Sequence, residues 1–314
     1  MVGAIDIGGT KIAVGVVNSD GQVLTRLECP TRGDGPYEDA LDRITRMLRE
    51  AVAKVSGEIQ GIGIGSTGPL DALSGEFQNV NFFPGWCGEN LVEDLTKIFG
   101  LSVAIENDGD AAALGEAGWG AGRNKSRVVY VTIGTGIGVG VIINGQPYRG
   151  VNGAHPEIGH HLIDPSGPQC DCGFRGCWES LAAGPAMVTW MRNNAPVNYP
   201  NRDKLTGKSI CELALAGDEC AKRAVQHEAQ HLSLGLANLV TMFAPEVMIL
   251  GGSVMKSADL FMDEIRKTIA NCCRLVPHEK TELALASLGE DTNLIGAARV
   301  WYYRCGPNGG KSAH

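Results

Sequence analysis

Two segments of the chain share one layout: a run of strand-forming residues, a glycine turn and a second such run. The first reads VGAIDIGGTKIAVGVVNSDGQVL from residue 2, and the second reads SRVVYVTIGTGIGVGVIINGQPY from residue 126. Each predicts a β-hairpin, and helical and strand patterns alternate after each of them. Two copies of one hairpin-plus-α/β unit predict an α/β protein of two similar lobes with a cleft between them.

Helical periodicity appears soon after the first hairpin. Within residues 38–55, apolar side chains recur every three or four positions, which predicts a helix with one apolar face. The apolar positions are Leu41, Ile44, Leu48, Val52 and Val55. Further predicted strands cover 58–66, 101–108, 246–252 and the start of 282–304; further predicted helices cover 89–100, 184–192, 209–216, 218–243, 258–273 and the end of 282–304. We place the lobe boundaries at 1–120, joined by a C-terminal helix near 291–305, and at 121–290.

Composition and charge exclude several classes of protein. The 314 residues are 44% hydrophobic and 20% charged, which is typical of a globular protein. A net charge of −8 argues against nucleic acid or an anionic membrane as the main partner. The opening residues lack the basic region of a secretory signal, and no apolar run reaches the ~18 residues of a membrane span. Ten unevenly spaced cysteines then favour a reducing cytoplasm over a disulfide framework.

Three glycine turns are predicted at strand ends. Asp6-Ile7-Gly8-Gly9-Thr10-Lys11 lies between two strands, where the glycines free main-chain N–H groups for a phosphate. Thr10 and Lys11 add a hydroxyl and a positive charge. A plain hairpin turn is the alternative, but Gly134-Thr135-Gly136 repeats the turn, and Gly251-Gly252-Ser253 ends a third buried strand. The recurrence favours a nucleotide held across the cleft.

One motif in this region is a chance match. Residues 63–68 read GIGSTG, which satisfies the G-x-G-x-x-G pattern and follows a predicted strand. A dinucleotide site also needs a helix to begin there, whereas Pro69 and a polar loop follow. We therefore reject a dinucleotide site.

A carboxylate at a strand end is the candidate base. Glu106-Asn107-Asp108 ends a predicted strand and precedes the alanine-rich helix GDAAALGEAGW. Asp108 in a cleft could accept a proton from a substrate hydroxyl, and the neighbouring amide of Asn107 favours a hydroxylated ligand. The alternative is that Asp108 caps the helix, as aspartate often does. Asp110 is interpreted as a cap or first-turn acid.

Three cysteines crowd into one loop. Cys170, Cys172 and Cys177 lie in a segment too polar and glycine-rich to bury three free thiols, whereas Zn²⁺ takes four nitrogen or sulfur ligands. His160 is the expected fourth ligand, with His161 and His155 as rivals. Four protein ligands predict a structural zinc site within residues 155–180.

Two glutamates flank this predicted site. Glu157 lies three residues before His160, so the two side chains share a face of a helical turn. Glu179 follows Cys177 by two residues. The metal would therefore fix two carboxylates suited to the hydroxyls of a sugar. A solvated surface position is the alternative for both, and it fits Glu179 better than Glu157.

Nearly the whole chain resembles the ROK family of sugar kinases and repressors. The segments that carry the resemblance are DIGGTK at 6–11, STGP at 66–69, END at 106–108, TIGTGIGVG at 132–140, HPEIGHHLIDPSGPQCDCGFRGCWES at 155–180 and LGGSV at 250–254. The cysteine segment is the most specific of them, since DIGGT and GTG also occur in the wider actin–hexokinase fold.

The resemblance implies two ribonuclease-H-like lobes with the sugar in the cleft, and Mg-ATP as phosphoryl donor. Asp108 would be the catalytic base. The implied sugar contacts are Gly68, Asn81, Asn107, Asp108, Glu157, His160 and Glu179. His160 would also bind zinc with the three cysteines. Asp6 would organise Mg²⁺, the turns at Gly8–Thr10 and Gly134–Gly136 would hold phosphates, and Gly251 and Gly252 would hold the adenosine.

The expected activity is phosphorylation of the 6-hydroxyl of glucose. Kinases of N-acetylmannosamine, N-acetylglucosamine or fructose are the enzymatic alternatives, and a sugar-sensing regulator without turnover is the alternative from another class. The stretches STGPLD and NFFPGW resemble those of glucose-specific members of the family more than those of N-acyl-hexosamine kinases, and this resemblance favours glucose. The chain starts at the phosphate turn, so no DNA-binding segment is expected. The resemblance implies a homodimer, with a tetramer as the alternative.

Overall fold

A computed structural model describes residues 1–78 and 82–307. Within them lie ten strands and nine α-helices. The strands are β1 Val2–Ile7, β2 Lys11–Val17, β3 Val23–Pro30, β4 Gly61–Ser66, β5 Ser102–Asn107, β6 Arg127–Ile133, β7 Ile137–Ile143, β8 Gln146–Pro147, β9 Val247–Gly251 and β10 Glu282–Leu285. The helices are α1 Tyr37–Ala53, α2 Leu91–Phe99, α3 Asp108–Trp119, α4 Trp178–Ala182, α5 Gly184–Asn194, α6 Gly207–Leu215, α7 Glu219–Phe243, α8 Met262–Cys272 and α9 Thr292–Arg304.

The first sheet has the strand order β3-β2-β1-β4-β5. β1, β2 and β3 pair antiparallel, which closes the predicted hairpin with Ile7 opposite Ile12. β4 and β5 extend the sheet in parallel with β1. Parallel neighbours need a crossover, and here α1 and α2 supply the helical crossovers that precede β4 and β5.

The sequence of β4 explains how both faces of this sheet are covered. In GIGIGS the isoleucines point to one face, because side chains alternate along a strand. Ile62 and Ile64 there join a buried cluster with Ile44 and Leu48 of α1. The glycines point to the other face, where a Cβ on Gly63 would come within 1.9 Å of a backbone oxygen of α9. The alternating glycines therefore let α9 pack directly onto the sheet.

The second sheet has the order β10-β9-β6-β7-β8. β6, β9 and β10 run parallel, so that Thr132 lies opposite Gly251 at the ends of two central strands. The long helix α7 packs against α5, α6 and α8. The predicted helix at 258–273 is divided: a 3-10 segment covers Val254–Leu260, and α8 begins at Met262.

The backbone forms two compact units. Unit 1 contains residues 1–126, 140–156 and the chain from 286 onward, and unit 2 contains 127–139 and 157–285. The predicted second lobe includes residues 121–126, 140–156 and 286–290, which lie with unit 1. The longest of these segments is 140–156, and the reason for its placement is long-range pairing, because Arg149 and His155 bind acids at the end of β5 and the start of α3.

A helix that crosses a membrane has to be long and apolar. Among the helices in residues 1–78 and 82–307, none combines the length and apolar character that a membrane span requires.

Candidate functional site

Asp108 lies where β5 passes into α3. Its Oδ2 accepts a hydrogen bond from the Thr67 hydroxyl at 3.1 Å, and its Oδ1 accepts one from the Gly109 N–H at 2.8 Å. Burial raises the pKa of Asp108 above its ordinary value, and these two hydrogen bonds oppose the rise. The cap residue of α3 is Asn107, whose side chain also accepts from Gly109. Capping is therefore the role of Asn107, and Asp108 occupies the first helical position.

A second carboxylate lies close to Asp108. Asp6 is buried at the end of β1. Burial and the negative charge of Asp108 together raise the pKa of Asp6 to about 7, although Lys11 and a hydrogen bond with Asn293 act in the opposite direction. Two carboxylates in one electrostatic neighbourhood favour a proton or a cation between them.

The turn after Asp6 is braced by Thr31. The Thr31 hydroxyl donates to the Gly8 carbonyl at 2.6 Å, and its N–H donates to the Thr10 carbonyl at 3.0 Å. Gly9 and Thr10 are exposed. The ammonium of Lys11, which is predicted to face a phosphate, is exposed and forms an ion pair with Glu28 at 2.7 Å.

A buried network of ion pairs lies at the end of β5 and the start of α3. Arg149 donates to both Glu106 and Asp110, and Arg304 donates to Glu106 through Nε at 2.7 Å. His155 Nδ1 lies 2.5 Å from Asp110 Oδ2. Burial raises the pKa of Glu106, and the two arginines oppose the rise. Asp110 lies in the first turn of α3, as predicted, but its ion pair with Arg149 was not predicted.

The predicted sugar contacts of unit 1 are only partly described. Gly68 follows Thr67 at the end of β4, and Asn107 and Asp108 follow at the end of the neighbouring β5. Asn81 lies outside the described residues. The first α-helix after β4 begins at Leu91, so the rejected dinucleotide motif at 63–68 lacks its helix.

In unit 2, Glu179 reaches the turn between β6 and β7. Its Oε2 accepts from the Ile137 N–H at 2.8 Å, and a Cβ on Gly136 would come within 2.2 Å of the same oxygen. Gly136 therefore has to be glycine for the carboxylate to approach the Gly134-Thr135-Gly136 turn. Gly252 has φ +89°, and its Cα packs against the backbone of Ile133. Two of the predicted turns thus adjoin each other.

Four soft ligands converge in the loop before α4. The donor atoms of His160, Cys170, Cys172 and Cys177 all lie within 4.8 Å of one another. The shortest separations are 3.4 Å between the sulfurs of Cys172 and Cys177, and 3.5 Å between Cys170 Sγ and His160 Nδ1. A zinc tetrahedron with Zn–S bonds of about 2.3 Å needs donors roughly 3.5–3.8 Å apart. The donor set fits that ion.

The rival histidines are engaged elsewhere. His161 Nδ1 lies 2.7 Å from the Ile158 carbonyl and its Nε2 lies 3.2 Å from the Asn238 amide, while His155 pairs with Asp110. All ten cysteines are free. Burial raises the pKa of Cys177 to about 12, whereas an N–H from Phe174 lowers that of Cys172.

Glu157 and Glu179 differ in exposure, and the difference is opposite to the one expected from the sequence. Glu157 is exposed at the start of the 3-10 turn Ile158–His160, whereas Glu179 is partly buried and hydrogen-bonded. The surface alternative therefore fits Glu157 better. The spacing of these residues in the sequence does not show that the backbone N–H of Ile137 donates to Glu179.

Comparison with known proteins identifies relatives over nearly the full chain. The model of the ROK family matches residues 2–303. A glucokinase of Thermotoga maritima is 31% identical over 312 residues, which cover 96% of this chain and 97% of the relative. The structure of a ROK family glucokinase from Streptomyces griseus in complex with glucose and AMPPNP superimposes with a TM-score of 0.79 at 34% identity, covering 95% of this chain and 97% of that one. The predicted α/β two-lobe fold class is thereby confirmed.

Repressors are also among the relatives. The xylose repressor of Bacillus spizizenii is 31% identical over 301 residues, covering 94% of this chain and 75% of the repressor. The similarity therefore extends to proteins named as regulators.

Proposed function

Because the chain belongs to the ROK family, we propose that it is an ATP-dependent kinase that phosphorylates the 6-hydroxyl of glucose. The observation that carries the proposal is Asp108, a partly buried carboxylate with raised proton affinity at the end of β5. The glucokinase relatives align over almost the whole chain, which supports glucose as the acceptor.

Asp108 acts as the general base. The sugar hydroxyl oxygen forms a bond to the γ-phosphorus of ATP, the bond from that phosphorus to the leaving oxygen of ADP breaks, and the hydroxyl proton passes to Asp108. Thr67 and Gly109 hold the two carboxylate oxygens in place. The loose transition state of phosphoryl transfer asks mainly for positioning and charge neutralisation.

The nucleotide is proposed to bind at the glycine turns. The exposed backbone at Gly9 and Thr10 and at Thr135 offers N–H groups to phosphates. We assign Gly8, Lys11, Gly134 and Gly136 to the same phosphate sites, and Gly251 and Gly252 to the adenosine. Asp6 is the residue proposed to organise Mg²⁺, which would enter with ATP and would neutralise phosphate charge.

The proposed sugar contacts are Gly68, Asn81, Asn107, Asp108, Glu157, His160 and Glu179. Carboxylate, amide and imidazole groups suit a ring of hydroxyls, because a site built for hydroxyls rejects ligands that leave its polar groups unpaired. The hydrogen bond of Glu179 to Ile137 supports a fixed carboxylate.

A structural zinc ion is proposed at His160, Cys170, Cys172 and Cys177. The spacing of the four donor atoms and the absence of disulfides support it. Zinc would hold the loop closed, and this chain's own residue Cys177 would transmit that order to Glu179, two positions on. We further propose a homodimer in the cytoplasm; the free state of all ten cysteines supports a reducing compartment.

A sugar panel with coupled detection of ADP tests the proposal. Glucose should exceed N-acetylmannosamine, N-acetylglucosamine and fructose in kcat/KM by at least about tenfold, or ~1.4 kcal/mol. Phosphorus NMR should place the product phosphate on the 6-oxygen. A different preferred sugar would refute glucose as the substrate and leave the kinase activity intact. A protein that binds a sugar but releases ADP with no sugar of the panel would favour the regulator.

A further inference from the structure

Unit 1 contains a cavity of about 660 Å³ at the edge strand β5. It is lined by β5, α2, the end of α9 and parts of the segment 145–153. Its volume falls within the ~300–1,000 Å³ of small-molecule sites. None of the residues assigned above to sugar, nucleotide or zinc lines it.

The lining combines apolar walls with positive charge. Leu73 and Val92 contribute accessible apolar surface. Val103, Ile105 and Leu114 also line the cavity but are almost fully buried. Three arginines also line the cavity, whereas none of its described lining residues is acidic. Glu106 and Asp110 offset the charges of two of these arginines, so the third carries the excess positive charge of the lining.

The three arginines are Arg149, Arg304 and Arg299, and they differ in their partners. Arg149 and Arg304 bind the buried carboxylate of Glu106. Arg299 makes no ion pair within residues 1–78 and 82–307; its guanidinium stacks over the Trp119 ring, 5.2 Å from the centroid. Burial lowers the pKa of Arg299, yet a guanidinium remains charged in proteins. A partly buried cation without an anion is a binding group for one.

We propose that this cavity binds a small organic anion with an apolar body. The acidic group pairs with Arg299, and the body lies against the accessible side chains of Leu73 and Val92. The cation–π contact with Trp119 holds the guanidinium beside the ring and supplies no anion to it.

Occupancy of the cavity acts on Asp108 through Glu106. Arg304 lines the cavity and also binds Glu106, which lies two residues before Asp108 on the same strand end. An anion that attracts Arg304 weakens its bond to Glu106 and so shifts the end of β5. This second part rests on the proposed kinase activity.

Binding is tested with two fluorescent probes of one shape. 8-Anilino-1-naphthalenesulfonate carries a sulfonate, and N-phenyl-1-naphthylamine is the same body without it. Titrations are made with saturating glucose and Mg-AMPPNP, so that the sites assigned to sugar and nucleotide are blocked. The sulfonate should bind more tightly than the neutral probe. Arg299→Met should raise its Kd at least about tenfold and change that of the neutral probe less than about twofold.

Matched variants separate charge from folding. Arg46→Met on α1 is the control, since Arg46 is 67% exposed and outside the cavity, and should change neither Kd. Arg299→Lys should restore part of the sulfonate affinity. Ala72→Trp, which keeps all three arginines and fills the cavity from its wall, should weaken both probes. Equal affinity for the two probes, or sulfonate binding that none of the cavity variants alters, would overturn the site.

The coupling is read from kcat at saturating glucose and ATP. Adding the sulfonate probe should change the kcat of the unaltered protein at least about twofold. The kcat of Arg299→Met should be the same with and without the probe. An unchanged kcat with the cavity filled would overturn the coupling and leave the site. If no kinase activity exists, the fluorescence titrations still decide whether the site is real.

Discussion

The contact between Gly235 and Trp178 gives a prediction whose sign can be worked out. Gly235 lies inside α7, and Trp178 begins α4 with no exposed surface. A Cβ on Gly235 would lie 2.1–2.3 Å from three atoms of the indole. Ordinary contacts between such atoms are about 3.5–4.0 Å, so the indole would have to move by more than about 1 Å.

Two effects of Gly235→Ala oppose each other. Alanine is favoured over glycine in a helix interior by about 0.5–1 kcal/mol. Overpacking a closed core commonly costs about 1–3 kcal/mol, and Trp178 has no open side to move towards. We expect a net loss of about 1–2 kcal/mol, which for a protein of this size lowers Tm by a few degrees.

The displacement should also reach the cysteine loop. Cys177 precedes Trp178 and Glu179 follows it, so Gly235→Ala should lower both Tm and bound zinc. Thermal unfolding by circular dichroism and elemental analysis measure the two. The control is Gly207→Ala at the start of α6, where the nearest atom to a new Cβ is at 3.5 Å. A Gly235→Ala protein as stable as the unaltered one, or a control equally damaged, would show that the reasoning about packing is wrong.

Three further changes test single residues. Asp108→Asn should lower kcat by about 10² or more, the effect of losing a general base, while calorimetry still detects sugar binding; near-normal turnover would leave Asp108 with a structural role only. Cys172→Ser should lose zinc in elemental analysis of metal-replete protein, and undiminished zinc would contradict the ligand set. Glu228→Gln should stabilise the protein at pH 8 more than at pH 5. Both oxygens of Glu228 are buried and have no hydrogen-bond partner in the described part of the chain, and burial raises the pKa of Glu228 well above 4.5. The native state therefore keeps a proton that the unfolded chain releases as pH rises above that value, and native stability falls across this interval. Equal Tm differences at the two pH values would refute the titration of Glu228.

Local patterns predicted the elements of the fold well. The apolar spacing at 38–55 predicted a helix, and α1 covers Tyr37–Ala53. The two glycine turns predicted the β1–β2 and β6–β7 connections. Such patterns succeed because the period of a strand or helix is a property of neighbouring residues. The division of the predicted helix at 258–273 after Leu260 was missed, because no glycine or proline marks it.

The cysteine group and the ion network differ in how far apart their members lie in the sequence. His160 and the three cysteines fall within 18 positions, so their residue types alone indicate a common site. Glu106, in contrast, binds Arg149 and Arg304, which are 43 and 198 positions away. No periodicity links them. The one available signal was that an ionised residue within the buried strand LSVAIEN requires a cation.

That network gives the acids around the end of β5 different tasks. Glu106 and Asp110 accept hydrogen bonds from guanidinium groups. These ion pairs offset the negative charge of the two carboxylates and fix the end of β5. Asp108 lies between them and makes no ion pair in the part of the chain that is described; its oxygens accept only from the neutral Thr67 hydroxyl and Gly109 N–H. Neutral donors orient a carboxylate but offset its charge less than a cation does. Burial therefore keeps the pKa of Asp108 above its ordinary value, as a general base needs, while the ion pairs of Glu106 and Asp110 hold the strand end in place.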